Sequence, residues 1–187
     1  MNVSKLTLEG LLLITPEVHA DERGFFMETA HEEKFQKIGI IDVFVQDNHS
    51  HSKQNVVRGL KYQYNKPTSK LVRVVQGTIV AAALDLRKNS STFGKLEKVL
   101  LSAENKQMLY LPFGFAFGFA VHSETADVLY KLSALHNPTG SGTINCLDPE
   151  LAIDWGVESP VMTQQDRLAP TFSEWKEANF HSDIPSK

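Results

Sequence analysis

Apolar and polar residues alternate in short runs along most of this chain, the two-residue period of β-strands with one covered face. Residues 1–18 predict a strand, a turn at Glu9-Gly10 and a second, more apolar strand stopped by Pro16. Asp21-Glu22-Arg23-Gly24 reads as a hairpin turn with a solvated arginine, and Phe25-Phe26-Met27-Glu28 follows. Thr29 with Glu32 fits a capping box, so Ala30–Ile38 reads as a short helix closed by Gly39. Ile41–Asn48 alternates like a strand, with Gln46 and Asn48 on one face, either as edge solvation or as pocket lining. His49-Ser50-His51 looks like a metal pair, but no third ligand has suitable spacing and an exposed loop is the simpler reading.

Val56–Lys70 is the stretch on which the rest turns. Lys61 and Gln63 share one strand face, and Tyr62 and Tyr64 share the other. Arg58 is out of phase with Lys61 unless a bulge at Gly59 resets the register. This is either an edge strand with solvated charges or an inward polar ladder lining an anion-binding cavity. Lys70–Gln76 and Thr78–Arg87 predict a hairpin through Gln76-Gly77. Ala81, Ala82 and Ala83 leave room there for a ligand or for bulky neighbours. Strands follow at Leu96–Leu101 and Met108–Leu111, the latter ending at Pro112. The phenylalanines of Phe113–Phe119 share a parity, suited to core packing or to stacking on a nucleobase. Val128–Leu132 is a further strand, and His136-Asn137-Pro138 leads into a turn at Thr139–Gly142. Gln165-Asp166-Arg167 falls in a loop, Thr171 with Glu174 caps a final helix ending near Asn179, and His181–Lys187 is a loose tail.

Many short strands, few short helices and no βαβ alternation predict an all-β fold, a jelly-roll sandwich or barrel with peripheral helices. The 187 residues make one domain, with its core at about residues 5–172 and a C-terminal helix and tail at 173–187. A hydrophobic fraction of 42% is enough for a sizeable core, and a net charge of −3 offers no basic field for nucleic acid or membrane. No apolar run approaches the roughly 18 residues of a membrane span, and the single Cys146 forbids an internal disulfide or a cysteine zinc site. A soluble cytoplasmic protein is expected. Dinucleotide, P-loop and serine-hydrolase signatures are all absent.

One ordered set of local motifs carries this further. It comprises Asp21-x-Arg23-Gly24-x-Phe26-x-Glu28, Gln46-Asp47-Asn48, Arg58-Gly59-Leu60-x-Tyr62-Gln63, Lys70-Leu71-Val72, Asp85-Leu86-Arg87, Ser91-Thr92-Phe93-Gly94, Gly114-Phe115-Ala116-x-Gly118-Phe119, Tyr130-Lys131 and Asp148-Pro149. In this order they resemble the dTDP-4-dehydrorhamnose 3,5-epimerase family. The resemblance implies a homodimeric, cupin-like jelly roll without metal or cofactor, acting on a nucleotide-diphosphate-linked 4-keto-6-deoxyhexose. The implied chemistry is proton removal and return at carbons beside the ketone, through an enolate, in deoxysugar biosynthesis. Matching motifs assign Arg23 and Arg58 to the diphosphate or sugar, with Arg23 reaching across the dimer. They assign Phe26 and Tyr130 to the nucleobase side, Glu28, Gln46 and Asn48 to binding and orientation, and Lys70 to the enolate oxygen. Gln63 and Phe117 complete the expected substrate-binding set.

The proton-transfer positions depart from the family pattern. Lys61 stands where the family has the histidine of Arg-Gly-Leu-His, Phe117 stands for the histidine of Gly-Phe-Ala-His-Gly-Phe, and His136 for the tyrosine acid. A family aspartate before Asp85 is matched by Ala81, while the aspartate partner of the base is retained as Asp166. A lysine beside Asp166 would stay charged, a poor base but a serviceable acid or enolate stabiliser, and histidine suits the base role near neutral pH. The catalytic expectation is therefore Lys61, His136, Asp166 and Lys70. The alternatives are a sugar-nucleotide-binding relative without epimerase activity, acting as sensor or partner of a pathway enzyme, and a different reaction in the same pocket, such as ketoisomerisation.

Overall fold

A computed structural model describes residues 1–178 of the protein. The strands are β1 (Asn2–Lys5), β2 (Leu12–Thr15), β3 (Val18–Asp21), β4 (Gly24–Met27), β5 (Gln46–Lys53), β6 (Val57–Gln63), β7 (Lys70–Gln76), β8 (Thr78–Asp85), β9 (Leu96–Ser102), β10 (Met108–Leu111), β11 (Phe115–Val121), β12 (Thr125–Leu132) and β13 (Ser141–Thr143). Helices α1 (Glu32–Lys37), α2 (Gln164–Arg167) and α3 (Phe172–Glu177) are short. Six strands form one sheet in the order β1-β2-β10-β7-β12-β5, and five form a second in the order β13-β6-β11-β8-β9. The β3–β4 hairpin pairs only with itself. The two large sheets make the expected antiparallel sandwich.

Packing between the sheets explains the sequence pattern. Val72, Val74, Leu109 and Val128 of the first sheet meet Ile79, Leu101, Phe115, Phe117 and Phe119 of the second. The outer face of the five-stranded sheet is covered as well, by Trp155, Phe172 and Trp175 from the C-terminal segment. Strands buried on both faces read as continuous apolar runs, which is why β8 and β11 show little alternation. Ala81 lies opposite Phe119 and Ala83 opposite Phe117, so bulky neighbours take the room the alanines leave. Helix α1 covers part of the other sheet's outer face through Phe35, against Leu12, Ile14 and Met108.

Several local expectations are corrected. The run 70–87 is not a hairpin: β7 pairs with β10 and β12, and β8 with β11 and β9. Gly77, at φ +76°, is the corner where the chain crosses from one sheet to the other. A turn dipeptide marks the reversal without naming the strand's partner. Residues 41–45 stay outside the ladder, which begins at Gln46 and continues through His49 and His51, so that motif lies in β5 and not in an exposed loop. Helix α1 starts at Glu32 after His31, with no side-chain cap, so the Thr29 capping box does not form, whereas the Thr171–Glu174 box does. Asp166 sits in a helical turn capped by Thr163, not in a loop. The predicted helix end at Asn179 and the tail His181–Lys187 lie outside the described residues. Among the described residues no helix is long and apolar enough to cross a membrane.

A Cβ added at Gly77 would lie 2.0 Å from the Thr125 carbonyl oxygen and 2.3 Å from Ser123 Oγ. Gly77→Ala is therefore expected to cost about 3 kcal/mol or more, or to prevent folding, as read by urea denaturation. A loss within the error of the melt would contradict the crossing assigned to this corner.

Candidate active site

The bulge at Gly59 builds the site. Register along β6 and β11 shifts between Arg58↔Phe119 and Lys61↔Phe117. Phe117 and Phe119 share the face turned to the other sheet, so the bulge puts Arg58 and Lys61 on that face together. Gly59 adopts φ +121°, and a Cβ there would lie 2.5 Å from the Cα of Gly118. Glycine is thus required on both strands at their closest approach.

A cavity of about 570 Å³ opens at the edges of the sandwich formed by β5 and β13. Gln46, Asn48, Lys70 and Tyr130 line it from the six-stranded sheet. Lys61, Gln63 and Thr143 line it from the five-stranded sheet, and His136 from the loop between β12 and β13. Lys61, Gln63 and Lys70 of the stretch Val56–Lys70 thus face a cavity rather than forming a solvated edge.

The two lysines differ in their surroundings. Lys61 Nζ donates to Thr143 Oγ1 at 2.9 Å and lies 2.5 Å from Asp166 Oδ1. Asp166 is buried, and its Oδ1 meets no donor at hydrogen-bond angles, so the contact is an ion pair rather than an aligned hydrogen bond. Lys70 forms no ion pair among the described residues, and burial alone pulls its pKa down to about 8. Its neighbour Ser69 is anchored firmly. Ser69 Oγ donates to Asp42 Oδ1 at 3.0 Å and accepts from Phe113 N at 3.1 Å, and the Tyr110 hydroxyl donates to Asp42. Burial, reinforced by Asp42, pushes the Tyr110 pKa upward.

His136 is exposed, and its backbone N–H donates to Gln46 Oε1 at 2.9 Å. Gln46 Nε2 in turn donates to Asn48 Oδ1 at 3.0 Å. The Gln63 amide is fully engaged by the protein itself. It donates to the Lys66 and Leu135 carbonyls and accepts from Asn137 N and Ser141 Oγ. Gln63 therefore lines the cavity with both amide hydrogens already given to the protein.

The remaining predicted residues lie elsewhere. Arg23 is on the β3–β4 hairpin, paired with Asp21 at 2.6 Å, and Phe26 beside it is 70% exposed. Glu28 pairs with Lys34 at 2.8 Å, and that bond holds its carboxyl below the usual range. Arg58 is outside the cavity lining, with its Nε donating to Ser52 Oγ on β5 at 3.0 Å. Phe117, expected in the substrate-binding set, packs in the core against Phe119 and is not among the residues lining the cavity. His49 and His51 both pair with Asp127, at 2.7 and 3.1 Å, and among the described residues no group of three such side chains is placed to hold a metal ion. Sequence reading missed Thr143, Ser141 and Gln165. Gln165 sits beside Asp166 and could have been inferred from it, whereas the β13 residues carry no local signal.

Comparison with known proteins gives a consistent result. The family model described as dTDP-4-dehydrorhamnose 3,5-epimerase matches residues 5–174. The dTDP-4-dehydrorhamnose 3,5-epimerase of Methanothermobacter thermautotrophicus is 45% identical over 166 residues, 87% of this chain and 90% of that protein. A crystal structure of the Legionella pneumophila dTDP-6-deoxy-D-glucose-3,5-epimerase in complex with dTDP-4-keto-L-rhamnose superposes with a TM-score of 0.89 at 40% identity, covering 92% and 93% of the two chains. A 4-keto-6-deoxy sugar epimerase from the novobiocin gene cluster of Streptomyces spheroides superposes with a TM-score of 0.93 at 32% identity, covering 99% and 96%.

Lys70 carries a stability cost that titration should expose. Its folded pKa lies below that of an unfolded lysine, so the unfolded chain binds more protons between about pH 8 and 10.4 and stability rises with pH there. Below pH 8 the cost is present in full. Lys70→Met is expected to raise stability at pH 7 by on the order of 1–3 kcal/mol, with a smaller gain at pH 10, measured by urea denaturation. An equal gain at both pH values would contradict a partly buried ammonium unpaired among the described residues.

Proposed function

The chain belongs to the dTDP-4-dehydrorhamnose 3,5-epimerase family, and from that premise we propose how its own residues move protons on a dTDP-linked 4-keto-6-deoxyhexose. The protein is an isomerase of nucleotide-linked deoxysugars. Inverting a carbon beside the ketone requires a base on one face of the sugar, an acid on the other, and a donor for the enolate oxygen. His136 is tied to Gln46 of one sheet, and Lys61 belongs to the other, so the two flank the cavity. His136 accepts the carbon-bound proton. The Lys61 ammonium, held by Asp166 and Thr143, delivers a proton to the opposite face. One turnover leaves His136 protonated and Lys61 neutral, and exchange with water resets both.

The observation that carries this reading is the contrast within one cavity: Lys61 is pinned to a carboxylate, and His136 pairs with none among the described residues. Lys70, unpaired, faces the charge that develops on the oxygen, where a cation in a water-poor site contributes most. Asn48 and Gln46 orient the sugar, and Tyr130 packs toward the nucleobase. Arg58 meets the diphosphate at the rim. Arg23, Phe26 and Glu28 belong to a hairpin that pairs with neither large sheet, and we place them in the cavity of a second copy in a homodimer. A single buried thiol suits a reducing compartment, so we place the protein in the cytoplasm.

The test is deuterium uptake from heavy water into a dTDP-4-keto-6-deoxyhexose, followed by NMR. Wild type is expected to incorporate deuterium beside the ketone, and His136→Ala and Lys61→Ala to lose about 10²-fold or more. Binding of dTDP without incorporation by wild type would instead establish the binding-only reading. Mixing Arg23→Ala with His136→Ala protein, each inactive alone, should restore turnover if the hairpin serves its partner's cavity. No restoration, with mixed dimers demonstrated, would remove that placement.

A further inference from the structure

We propose that Gln63 is a positioning residue for His136, acting with Gln46 as an amide clamp on the backbone of the β12–β13 loop. The inference rests on the assignment of His136 as the proton acceptor. Gln63 Nε2 donates to Leu135 O at 3.2 Å, on one side of the histidine. Gln63 Oε1 accepts from Asn137 N at 2.9 Å, on the other side. Gln46 Oε1 takes the N–H of His136 itself at 2.9 Å. Three consecutive residues are thus held by two side-chain amides, one from each sheet.

The arrangement is demanding. Gln63 is buried, and all its bonding capacity is used, with Lys66 O at 2.7 Å and Ser141 Oγ at 3.3 Å completing the set. The loop it holds is open to solvent: His136 is exposed, and Leu135 is 65% exposed. A surface loop carrying a proton acceptor has little packing to fix it, so fixed hydrogen bonds must do so. Gln63 also stands two residues from Lys61 on the same face of β6. One strand therefore carries the acid directly and the base indirectly, and their separation is set by the strand. Gln46 extends the clamp to Asn48 through its own Nε2, which links a ligand-orienting residue to the histidine.

The experiment compares Gln63→Met and Gln63→Glu with wild type and His136→Ala in the full chain. The readouts are deuterium uptake into a dTDP-4-keto-6-deoxyhexose, dTDP affinity by calorimetry, and the His136 imidazole signals by NMR. Gln63→Met keeps the side chain's length and removes every bond. Turnover is expected to fall roughly 10–100-fold, with dTDP affinity changed less than about twofold and the imidazole signals broadened or shifted. Gln63→Glu keeps acceptance from Asn137 and Ser141 but loses both donations and sets a carboxylate oxygen against the Lys66 and Leu135 carbonyls, so a loss of turnover at least as large is expected. If Gln63→Met does not fold, Gln63→Glu provides the same comparison. Unchanged turnover in the Gln63 variants, while His136→Ala abolishes it, would overturn the clamp alone. Equal losses of turnover and dTDP affinity would also overturn it, as a general collapse of the cavity. Turnover retained in His136→Ala would instead overturn the assignment on which the clamp rests.

Discussion

Two strands of the five-stranded sheet touch where neither carries a side chain. At Gly59 and Gly118, β6 comes close enough to β11 that a single methyl group could not be accommodated. That contact holds the bulge, and the bulge decides which residues of β6 look into the sandwich. Without it, Arg58 and Lys61 would fall on opposite faces, and the strand could not present both to the same side. The sandwich supplies the walls, and this local irregularity supplies the chemistry.

The cavity then separates its charged groups by environment. Lys61 has a buried carboxylate behind it, and Lys70 has only burial. The same side chain is ion-paired in one place and, unpaired among the described residues, has its pKa drawn down to about 8 by burial in the other. His136 sits at the exposed side, where water could take up a proton that it accepts. On the proposed reading, these differences give a cavity that departs from the family's proton-transfer pattern an acceptor, a donor and an oxyanion partner. Phe117 packs opposite Ala83 in the core and does not line that cavity.

Much of this was legible in the chain itself. Alternation located most strands, Gly59 announced its bulge, and the polar face of Lys61 and Gln63 pointed to a cavity. The limits are equally physical. Gln76-Gly77 signals a reversal and cannot say that the two strands part into different sheets. The strand assigned to 41–48 began late because alternation marks extended backbone, whether or not a neighbouring strand is there to pair with it. Gln63 was taken for a ligand contact because an inward amide looks the same in sequence whether its partner is a sugar or a neighbouring loop. The fold supplies that distinction, by bringing residues 135, 137 and 141 to its amide. Arg23 and Phe26 carry motif signals, yet their hairpin pairs with neither large sheet and they lie outside the cavity lining of a single chain.

The central claim is that two groups, one from each side of the cavity, exchange protons with the sugar. Isotope partition during early turnover in heavy water tests it directly. Separate acceptor and donor predict product that carries solvent deuterium at the inverted carbon while recovered substrate carries none. A single polyprotic amine working from one face predicts the reverse signature: substrate that gains deuterium as fast as product forms, and product that keeps some of its original hydrogen. The first pattern would support His136 and Lys61 as opposed partners, and the second would contradict them.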